Sequence, residues 1–310
     1  MYVASFYRFV RIEELVCVCA FIEDLCAQSD VHGTCILATE GINAALAHPN
    51  AGVLETIVEQ ITTCLAVQKL RPTLSRAHHD TLPFDKLLVQ IRSEIVSYGS
   101  SFDFTLPVLP KVNSIQWNDL LRANEAVVLD VRNQYEHDLG RFQNSIQPKT
   151  KNFREFKNFL EQQTEIDYDQ SVAIYCTGGI RCEKAAQSLF KLGFKSVIQL
   201  DRGILGYLEE TTDDSFWEGE CFVFDQRVAL NETLSEGSAV LCLACGGPLS
   251  PNDTVHPHYE HGISCSACHH ELTPTTRARR SERLRQLHLA RTREDNRATE
   301  SNVSLENLPI

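Results

Sequence analysis

Long apolar runs are absent from this sequence. No stretch reaches the roughly 20 apolar residues that span a bilayer, and the N-terminal segment MYVASFYRFVRIEE lacks the continuous apolar core of a signal peptide. We therefore expect a cytoplasmic protein without a membrane partner. The sequence also lacks a glycine-rich dinucleotide fingerprint and a 2-His-1-carboxylate pattern, so it carries no signature of a flavin, a nicotinamide or a non-haem iron centre.

Positive charge is scarce as well. Lysine and arginine total 29 against 41 aspartates and glutamates, which gives a net charge of -12 at pH 7. Such an excess of acid disfavours a uniformly basic surface for nucleic acid. The exception is segment 277–297, where eight arginines stand against three acidic residues and the local charge is +5. The pattern predicts an acidic body with a cationic tail.

The hydrophobic patterning predicts several domains. With 43% hydrophobic residues over 310 positions, the chain can bury two or three cores. Over the first hundred residues, strand-like and helix-like segments follow the order βαββα and then β, with DKLLVQIRSEIV as the last strand. This order is typical of a ferredoxin-like α+β domain, placed at 1–103. An extended linker is expected at 104–112, which contains Pro107 and Pro110.

A second pattern begins after the linker. From 113 to 218, helices alternate with short buried strands, which predicts an α/β domain with a parallel sheet covered on both faces. A Cys-rich region is expected at 219–274 and an Arg-rich, partly disordered tail at 275–310, with disorder in the last ten residues.

Twelve cysteines in a chain without an export signal are expected to be reduced. Five of them lie among apolar residues and are interpreted as small core residues: Cys17, Cys19, Cys26, Cys35 and Cys64. Cys176 and Cys182 flank a Thr-Gly-Gly turn. Four more form two CxxC pairs: Cys242, Cys245, Cys265 and Cys268.

The segment YCTGGIRCEK is the strongest candidate for catalysis. Cys176 follows the strand SVAIY and precedes a helix, so it lies at the carboxyl end of a parallel strand, where open α/β sheets bind ligands. The active-site loop is then Thr177, Gly178, Gly179 and Ile180. Its curled N–H groups, the helix N-terminus and Arg181 should favour the thiolate of Cys176. The alternative is a buried structural cysteine beside a glycine turn.

Sulfur transfer and phosphate-ester hydrolysis share this geometry. Only four residues separate Cys176 from Arg181, which is shorter than a dual-specificity phosphatase loop and resembles that of a rhodanese domain. The segment VVLDVRNQYEHDLGRF strengthens the similarity, and its Asp130, Arg132 and Glu136 are expected to fix neighbouring loops through ion pairs.

Five segments together resemble the tRNA uridine hydroxylases: EGIN at 40–43, FREF at 153–156, CTGGIRCEK at 176–184, GIL before YLE near 204, and GECFVFDQRV at 219–228. The similarity covers about residues 1–270 in order. It implies a ferredoxin-like domain, a rhodanese domain and a cysteine-rich region. It also implies an oxidoreductase that uses molecular oxygen to convert wobble uridine 34 of tRNA to 5-hydroxyuridine.

Two alternatives of other kinds stay open. One is a rhodanese-type sulfurtransferase that carries persulfide on Cys176. The other is a non-enzymatic module that binds RNA or protein, although such a module does not need an activated cysteine.

In the implied reaction, we expect Cys176 to be essential, either as a nucleophile at the uracil ring or as a thiolate or persulfide that reacts with oxygen. Cys182 is either a resolving cysteine that closes a disulfide with Cys176 or a packing residue of the helix. Asp201-Arg202 departs from the family pattern, and Arg202 either contacts RNA phosphate or is solvated.

The two CxxC pairs are 19 residues apart, a spacing typical of a structural zinc site. Disulfides or a redox dithiol are alternatives, and a histidine could replace one cysteine: His256, His258, His261, His269 or His270. In the tail, five arginines are predicted to contact tRNA phosphates: Arg277, Arg279, Arg280, Arg283 and Arg285. The alternative is a solvated helix with a thin apolar side of Leu284, Leu287 and Leu289. The sequence predicts no oligomeric state.

Overall fold

The computed structural model describes residues 1–163, 166–211 and 214–305, with side chains up to residue 289. These residues belong to two units, Met1–Ser238 and a second unit that begins at Ala239. Within the described part of the chain, no helix combines the length and apolarity needed to span a membrane.

The N-terminal domain of the first unit has a split βαβ arrangement. Its elements are β1 (Tyr2–Phe9), α1 (Leu15–Gln28), β2 (His32–Ala38), β3 (Gly41–His48), α2 (Ala51–Cys64), β4 (Thr73–Arg76) and β5 (Leu87–Ile91). The sheet order is β4-β1-β3-β2-β5, and the first four strands are antiparallel neighbours, which confirms the predicted ferredoxin-like fold. The fourth strand of that motif is β4, which the sequence pattern missed. Segment β5, predicted to fill that role, instead pairs parallel to β2 at the far edge.

The two faces of this sheet have different surroundings. Helices α1 and α2 cover one face and form an apolar core with it. Helix α2 begins where the side chain of Asn50 accepts a hydrogen bond from the N–H of Gly52. The opposite face presents alternate residues of β1, namely Ser5, Tyr7 and Phe9, to a cleft.

The predicted core cysteines divide by position. Cys26 and Cys35 are buried as expected and Cys19 is half-buried, but Cys17 and Cys64 are exposed, so the core interpretation was wrong for these two. Cys17 precedes the buried Ile22 by five residues on α1, which turns it about 140° away from the sheet. Cys64 is the last residue of α2.

The central domain is built on a parallel sheet in the order β6-β10-β9-β7. Its elements are β6 (Lys111–Val112), α3 (Ser114–Ala123), β7 (Ala126–Asp130), α4 (Gln134–Leu139), β8 (Gly140–Phe142), α5 (Phe153–Gln162), β9 (Ser171–Tyr175), α6 (Ile180–Leu192), β10 (Ser196–Leu200), α7 (Gly203–Glu210), β11 (Trp217–Gly219), β12 (Cys221–Phe222) and β13 (Ala229–Leu230). The edge strand β6 falls inside the segment expected to be a linker.

Both faces of this parallel sheet are covered, as predicted. In β9, Val172 and Ile174 pack with α5 and α6, whereas Ala173 and Tyr175 pack with α3 and α7. Strand β9 therefore lies between two apolar cores, and Cys176, which follows it, packs in the core formed with α5 and α6.

The second unit contains β14 (Val240–Leu241), β15 (Pro248–Leu249), two short 3-10 turns and helix α8 (Pro274–Leu305). The strands pair antiparallel. Disorder was expected over 301–310, but α8 continues to Leu305, and 306–310 lie outside the described residues.

Candidate active site and metal centre

Cys176 lies between the last residue of β9 and the first turn of α6, and it is fully buried. The chain turns at Gly179, whose φ of 95° is left-handed and favours glycine. This turn brings the N–H of Gly179 to 3.1 Å from Sγ of Cys176. Gly203, at the start of α7, packs so closely that a Cβ there would lie 2.3 Å from the carbonyl oxygen of Cys176. Gly178, in contrast, has open space around its Cβ position.

The surroundings of Cys176 favour its thiolate. Burial raises the pKa of the Cys176 thiol, but a hydrogen bond from the Cys182 thiol, the charge of Arg181 and the N–H groups at the start of α6 together lower that pKa to about 6. At neutral pH the sulfur is therefore mainly ionised. Such a buried thiolate is the nucleophilic form of cysteine.

Arg181 is held by a buried carboxylate. Its two terminal nitrogens donate to the two oxygens of Glu136 at 2.7 Å each, and one also donates to the hydroxyl of Thr177 at 3.0 Å. Glu136 is fully buried, and this bidentate pair fixes the guanidinium beside the loop. Because Glu136 engages both terminal nitrogens of Arg181, Arg181 affects Cys176 through its positive charge.

A second buried ion pair supports the floor of the site. The carboxylate of Asp130 accepts hydrogen bonds from Arg132, His137 and Tyr175. Burial raises the pKa of Asp130, but Arg132 and His137 outweigh it and hold the pKa well below its usual range. Arg132 also donates to the carbonyl of Gly140 at 2.6 Å, so the ion pair joins loops as the sequence suggested.

Cys182 packs in the core beside Cys176, a position compatible with either of the roles that the sequence left open. Its side chain is fully buried in the core formed by β9, α5 and α6, and it hydrogen-bonds to Cys176. Burial and the neighbouring Cys176 thiolate raise the pKa of Cys182 well above its usual value. Cys182 therefore remains a thiol that donates to the Cys176 thiolate.

Two segments that marked the family resemblance meet at the junction between the N-terminal and central domains. Lys184 of α6 lies 2.8 Å from Glu40 and 2.7 Å from Glu94, and the side chains of Lys184 and Glu40 are each only 2% exposed. Glu40 also accepts hydrogen bonds from the N–H groups of Ile95 and Phe102. This network joins the EGIN segment to the helix that follows the catalytic loop.

The cleft above the loop has a volume of about 1270 Å³ and is lined by both domains. Tyr7 of β1 reaches the loop, because a Cβ on Gly179 would lie 3.0 Å from its hydroxyl. That hydroxyl donates to Glu183, 176 positions later, at 3.2 Å. No local sequence pattern predicts a contact between residues so far apart, so the sequence analysis did not identify Tyr7 as a site residue.

Arg202 also lines the cleft, but it is ion-paired with Glu209 and Glu210, so it is not simply solvated.

Cys221 fell into none of the three cysteine groups. It is buried beside Arg132 and Glu136, and burial raises its pKa to about 12. Cys221 therefore stays a neutral thiol and packs in the apolar core that contains Ala173 and Tyr175.

In the second unit, the four CxxC sulfurs lie within 4.8 Å of one another, so the structure brings together all four predicted metal ligands. The distances from Cys265 Sγ to Cys245 Sγ and Cys268 Sγ are 3.8 and 3.7 Å. Tetrahedral zinc with bonds of about 2.3 Å requires sulfur separations of about 3.8 Å, so the donor set fits zinc. All twelve cysteines are free, which disfavours the disulfide alternative.

Three of the five tail arginines have partners within the second unit. Arg277 pairs with Glu260, Arg280 donates to the carbonyl of Ile263, and Arg285 pairs with Glu282. Arg279 and Arg283 are exposed and make no ion pair within the described part of the chain.

Comparison with known proteins gives two family matches. Residues 1–95 match the UPF0176 acylphosphatase like domain, and residues 116–210 match the Rhodanese-like domain. Among solved structures, the Rhodanese-like domain from Anabaena sp. matches with a TM-score of 0.30 and 16% identity, over 36% of this chain and 80% of that chain.

Curated relatives cover almost the whole chain. A tRNA uridine(34) hydroxylase of Brucella anthropi is 40% identical over 94% of this chain and 95% of its own, and that of Brucella ovis is 39% identical over 95% and 96%. The chain belongs to the tRNA uridine(34) hydroxylase family. The predicted resemblance is thereby confirmed, and the rhodanese loop of this hydroxylase family member is the Cys176 loop described above.

Proposed function

We propose that this protein hydroxylates uridine 34 of tRNA to 5-hydroxyuridine with molecular oxygen, and that Cys176 is the essential residue. The observation that carries the proposal is a buried thiolate, with a pKa of about 6, in a loop whose neighbouring residues line a cleft between two domains. The names of relatives that align over almost the full chain favour this reaction over sulfur transfer.

The Cys176 thiolate has two possible uses in this reaction. It can add to the uracil ring, or it can react with oxygen itself as a thiolate or persulfide. Both uses need a sulfur that is ionised at neutral pH, which the hydrogen bonds from Gly179 and Cys182 and the charge of Arg181 provide.

Cys182 fits the role of resolving cysteine. Hydroxylation places one oxygen atom on uracil and releases the other as water, which consumes two electrons and two protons beyond those of the C–H bond. Closure of the Cys176 thiolate and the Cys182 thiol to a disulfide releases the two electrons and one of the protons, and solvent, from which the thiolate's own proton was lost, supplies the other. Single-turnover reaction of reduced protein with tRNA and oxygen should therefore yield one Cys176–Cys182 disulfide per hydroxylated uridine, measured by peptide mass spectrometry. Product without disulfide would remove this role.

The test of the function itself is nucleoside analysis of tRNA. A strain that lacks the protein should lose 5-hydroxyuridine and its derivatives, and wild-type protein but not Cys176→Ala should restore them. Cys35→Ala, which alters a buried cysteine of the N-terminal core, is the control. Undiminished 5-hydroxyuridine with Cys176→Ala would refute the proposal, and loss of a thiolated nucleoside instead would support a sulfurtransferase.

We further propose that the exposed tail arginines Arg279 and Arg283 contact tRNA phosphates. Removal of residues 275–310 should weaken tRNA binding and flatten its salt dependence. An unchanged affinity and salt slope would leave α8 as a solvated helix.

A further inference from the structure

The cleft above Cys176 has a charge opposite to that of the chain. Its lining residues include seven arginines and lysines but only three acidic residues, in a protein whose net charge is -12. Positive charge is therefore concentrated around the cleft that residues of the Cys176 loop line. A cationic cleft in an acidic protein attracts a polyanion and orients it.

Most of these cations have ion-pair partners. Arg181 pairs with Glu136, Lys111 with Glu183, Arg71 with Asp201, and Arg202 with both Glu209 and Glu210. Arg8 lies between Tyr7 and Phe9 on β1 and opposite the core residue Ile42, so its side chain points to the other face of the sheet. The remaining two, Lys69 and Arg154, are exposed and form no ion pair within the described ranges. Lys69 follows α2 and Arg154 lies in α5, so they approach the cleft from both domains, and their charge is available to a ligand.

Aromatic rings line the same cleft. Phe9 and Phe102 stack at a centroid distance of 4.2 Å, and Phe104 meets Phe102 edge-on at 5.0 Å. All three rings are half-buried rather than enclosed. Cations that follow a phosphate backbone and rings on which bases stack are the combination that binds single-stranded nucleic acid.

We propose that this cleft binds a single-stranded stretch of RNA around the target nucleotide, with Lys69 and Arg154 contacting its phosphates. The proposal rests on the proposed function and adds where the RNA lies. Cys176 is fully buried, so only a base turned out of its stack reaches the sulfur. The volume of about 1270 Å³ exceeds that of a typical small-molecule site and accommodates more than one nucleotide.

The test compares two double variants of the full chain. One carries Lys69→Ala and Arg154→Ala. The control carries Lys86→Ala and Arg141→Ala, which removes the same charge from exposed positions outside the cleft. Binding of an anticodon stem-loop RNA is measured by fluorescence anisotropy over a range of salt concentrations.

The cleft variant should lower the slope of log K against log salt by about 1.4, since single strands release about 0.7 counterion per neutralised phosphate. The control should leave the slope unchanged. Equal slopes for the two variants, or loss of measurable binding in both, would overturn the proposal. Both proteins are first shown to unfold at the wild-type urea concentration.

All measurements use the Cys176→Ala background, so that no reaction is needed. A failure of the hydroxylase proposal is therefore distinguishable from a failure of the binding proposal. RNA that binds in the cleft without being hydroxylated by wild-type protein would leave the cleft assigned and the reaction refuted.

A separate observation concerns base choice. Glu183 accepts a hydrogen bond from Lys111 at 2.5 Å and from the Tyr7 hydroxyl at 3.2 Å. An ionised carboxylate only accepts, so the single phenolic proton of Tyr7 points at Glu183. Burial and the charge of Glu183 raise the pKa of Tyr7 well above its usual value, which keeps that proton in place. The lone pair of the Tyr7 oxygen is left for the cleft.

We infer that Tyr7 is a specificity residue that accepts the N3–H of uracil. Cytosine has an unprotonated N3, which accepts hydrogen bonds. This atom would face the Tyr7 oxygen, which is also an acceptor, so the site disfavours cytosine. A site that pairs a buried polar group with its substrate discriminates strongly against an analogue that leaves the group unpaired.

The readout is the ratio of dissociation constants for stem-loop RNAs with uridine or cytidine at the target position. Wild-type protein should prefer uridine about tenfold or more, and Tyr7→Phe should reduce the ratio to nearly 1. Tyr168→Phe, at a half-exposed tyrosine outside the cleft, should retain it. A wild-type ratio near 1, or a Tyr7→Phe ratio equal to that of wild type, would overturn the inference.

Discussion

At the scale of single residues, the reactivity of Cys176 depends on groups that oppose its own burial. Burial by itself keeps a thiol neutral, as the raised pKa values of the buried Cys35 and Cys221 illustrate. Cys176 differs because a thiol, an arginine and several N–H groups converge on its sulfur. Its low pKa is thus a property of the loop and the first turn of α6 together.

Replacement of Cys182 by alanine should raise the pKa of Cys176 from about 6 by about one unit or more, because the thiolate loses a hydrogen-bond donor. Thiolate forms as pH rises through this pKa, so the midpoint of the alkylation rate should move to higher pH. Iodoacetamide labelling of the Cys176 peptide, followed by mass spectrometry across pH, measures the shift. Cys26→Ala, a buried cysteine in the N-terminal core, should not change it. An unshifted midpoint would show that Cys182 is only a packing residue.

Replacement of Glu136 by glutamine should destabilise the protein by roughly 3–5 kcal/mol, because it leaves the buried guanidinium of Arg181 without its counter-charge. Urea unfolding measures the loss. Glu218→Gln, at an exposed position of strand β11, should change stability by less than about 0.5 kcal/mol. Equal stability of the two variants would mean that water or Thr177 compensates Arg181.

Local sequence predicted much of this site but not all of it. The active-site loop was predicted from the glycine turn and from the spacing between Cys176 and Arg181, because the residues of the loop are contiguous in the chain. The partner of Arg181 is Glu136, and Tyr7 comes from another domain. Contacts over such separations depend on tertiary packing, which periodicity does not encode.

At the scale of elements, helices and buried strands of the central domain were predictable because each has a strong apolar pattern. Strand β4 was missed since it has only four residues, directly after Arg71-Pro72. Strand β5 has a clear strand pattern in the sequence. Such a pattern does not specify which neighbour a strand pairs with, so the sequence did not predict that β5 lies at the sheet edge beside β2.

Helix α6 is anchored to the N-terminal domain by Lys184. Lys184→Met should lower the free energy of unfolding by about 3–5 kcal/mol, because Glu40 and Glu94 would then lie at the domain junction without a cation that balances their charge. Hydrogen exchange in β3 and in α6 should rise together, since the network links the two segments. Urea unfolding and exchange mass spectrometry provide the measurement.

Lys191→Met is the matched control on the same helix. Its ion pair with Asp103 is solvent-exposed, so it should cost less than about 1 kcal/mol. If both variants lost the same stability, the buried network would have no special role in joining the domains.

At the scale of the whole molecule, the two units depend on different stabilising interactions. The first unit has three large apolar cores, whereas the second has a small cluster in which Cys242, Cys265 and Cys268 are themselves core residues. A core so small does not offset the entropy of ordering the chain without a further crosslink. Metal coordination by the four thiolates would supply that crosslink.

Removal of zinc should therefore unfold the second unit and leave the first intact. We expect about one zinc per chain in purified protein, by metal analysis. A strong chelator should raise hydrogen exchange across 240–272 to that of an unfolded chain, while exchange in 1–238 and the alkylation midpoint of Cys176 stay unchanged.

Cys265→Ser should reproduce the effect of the chelator without any chelator present, because it removes a buried ligand from the centre of the cluster. Cys64→Ser, at an exposed cysteine far from the cluster in sequence, should keep full zinc content and normal exchange. Protein with well under one zinc per chain, yet with protected amides at 240–272, would contradict a structural metal. Loss of protection in the first unit upon chelation would instead show that its cores do not stand alone.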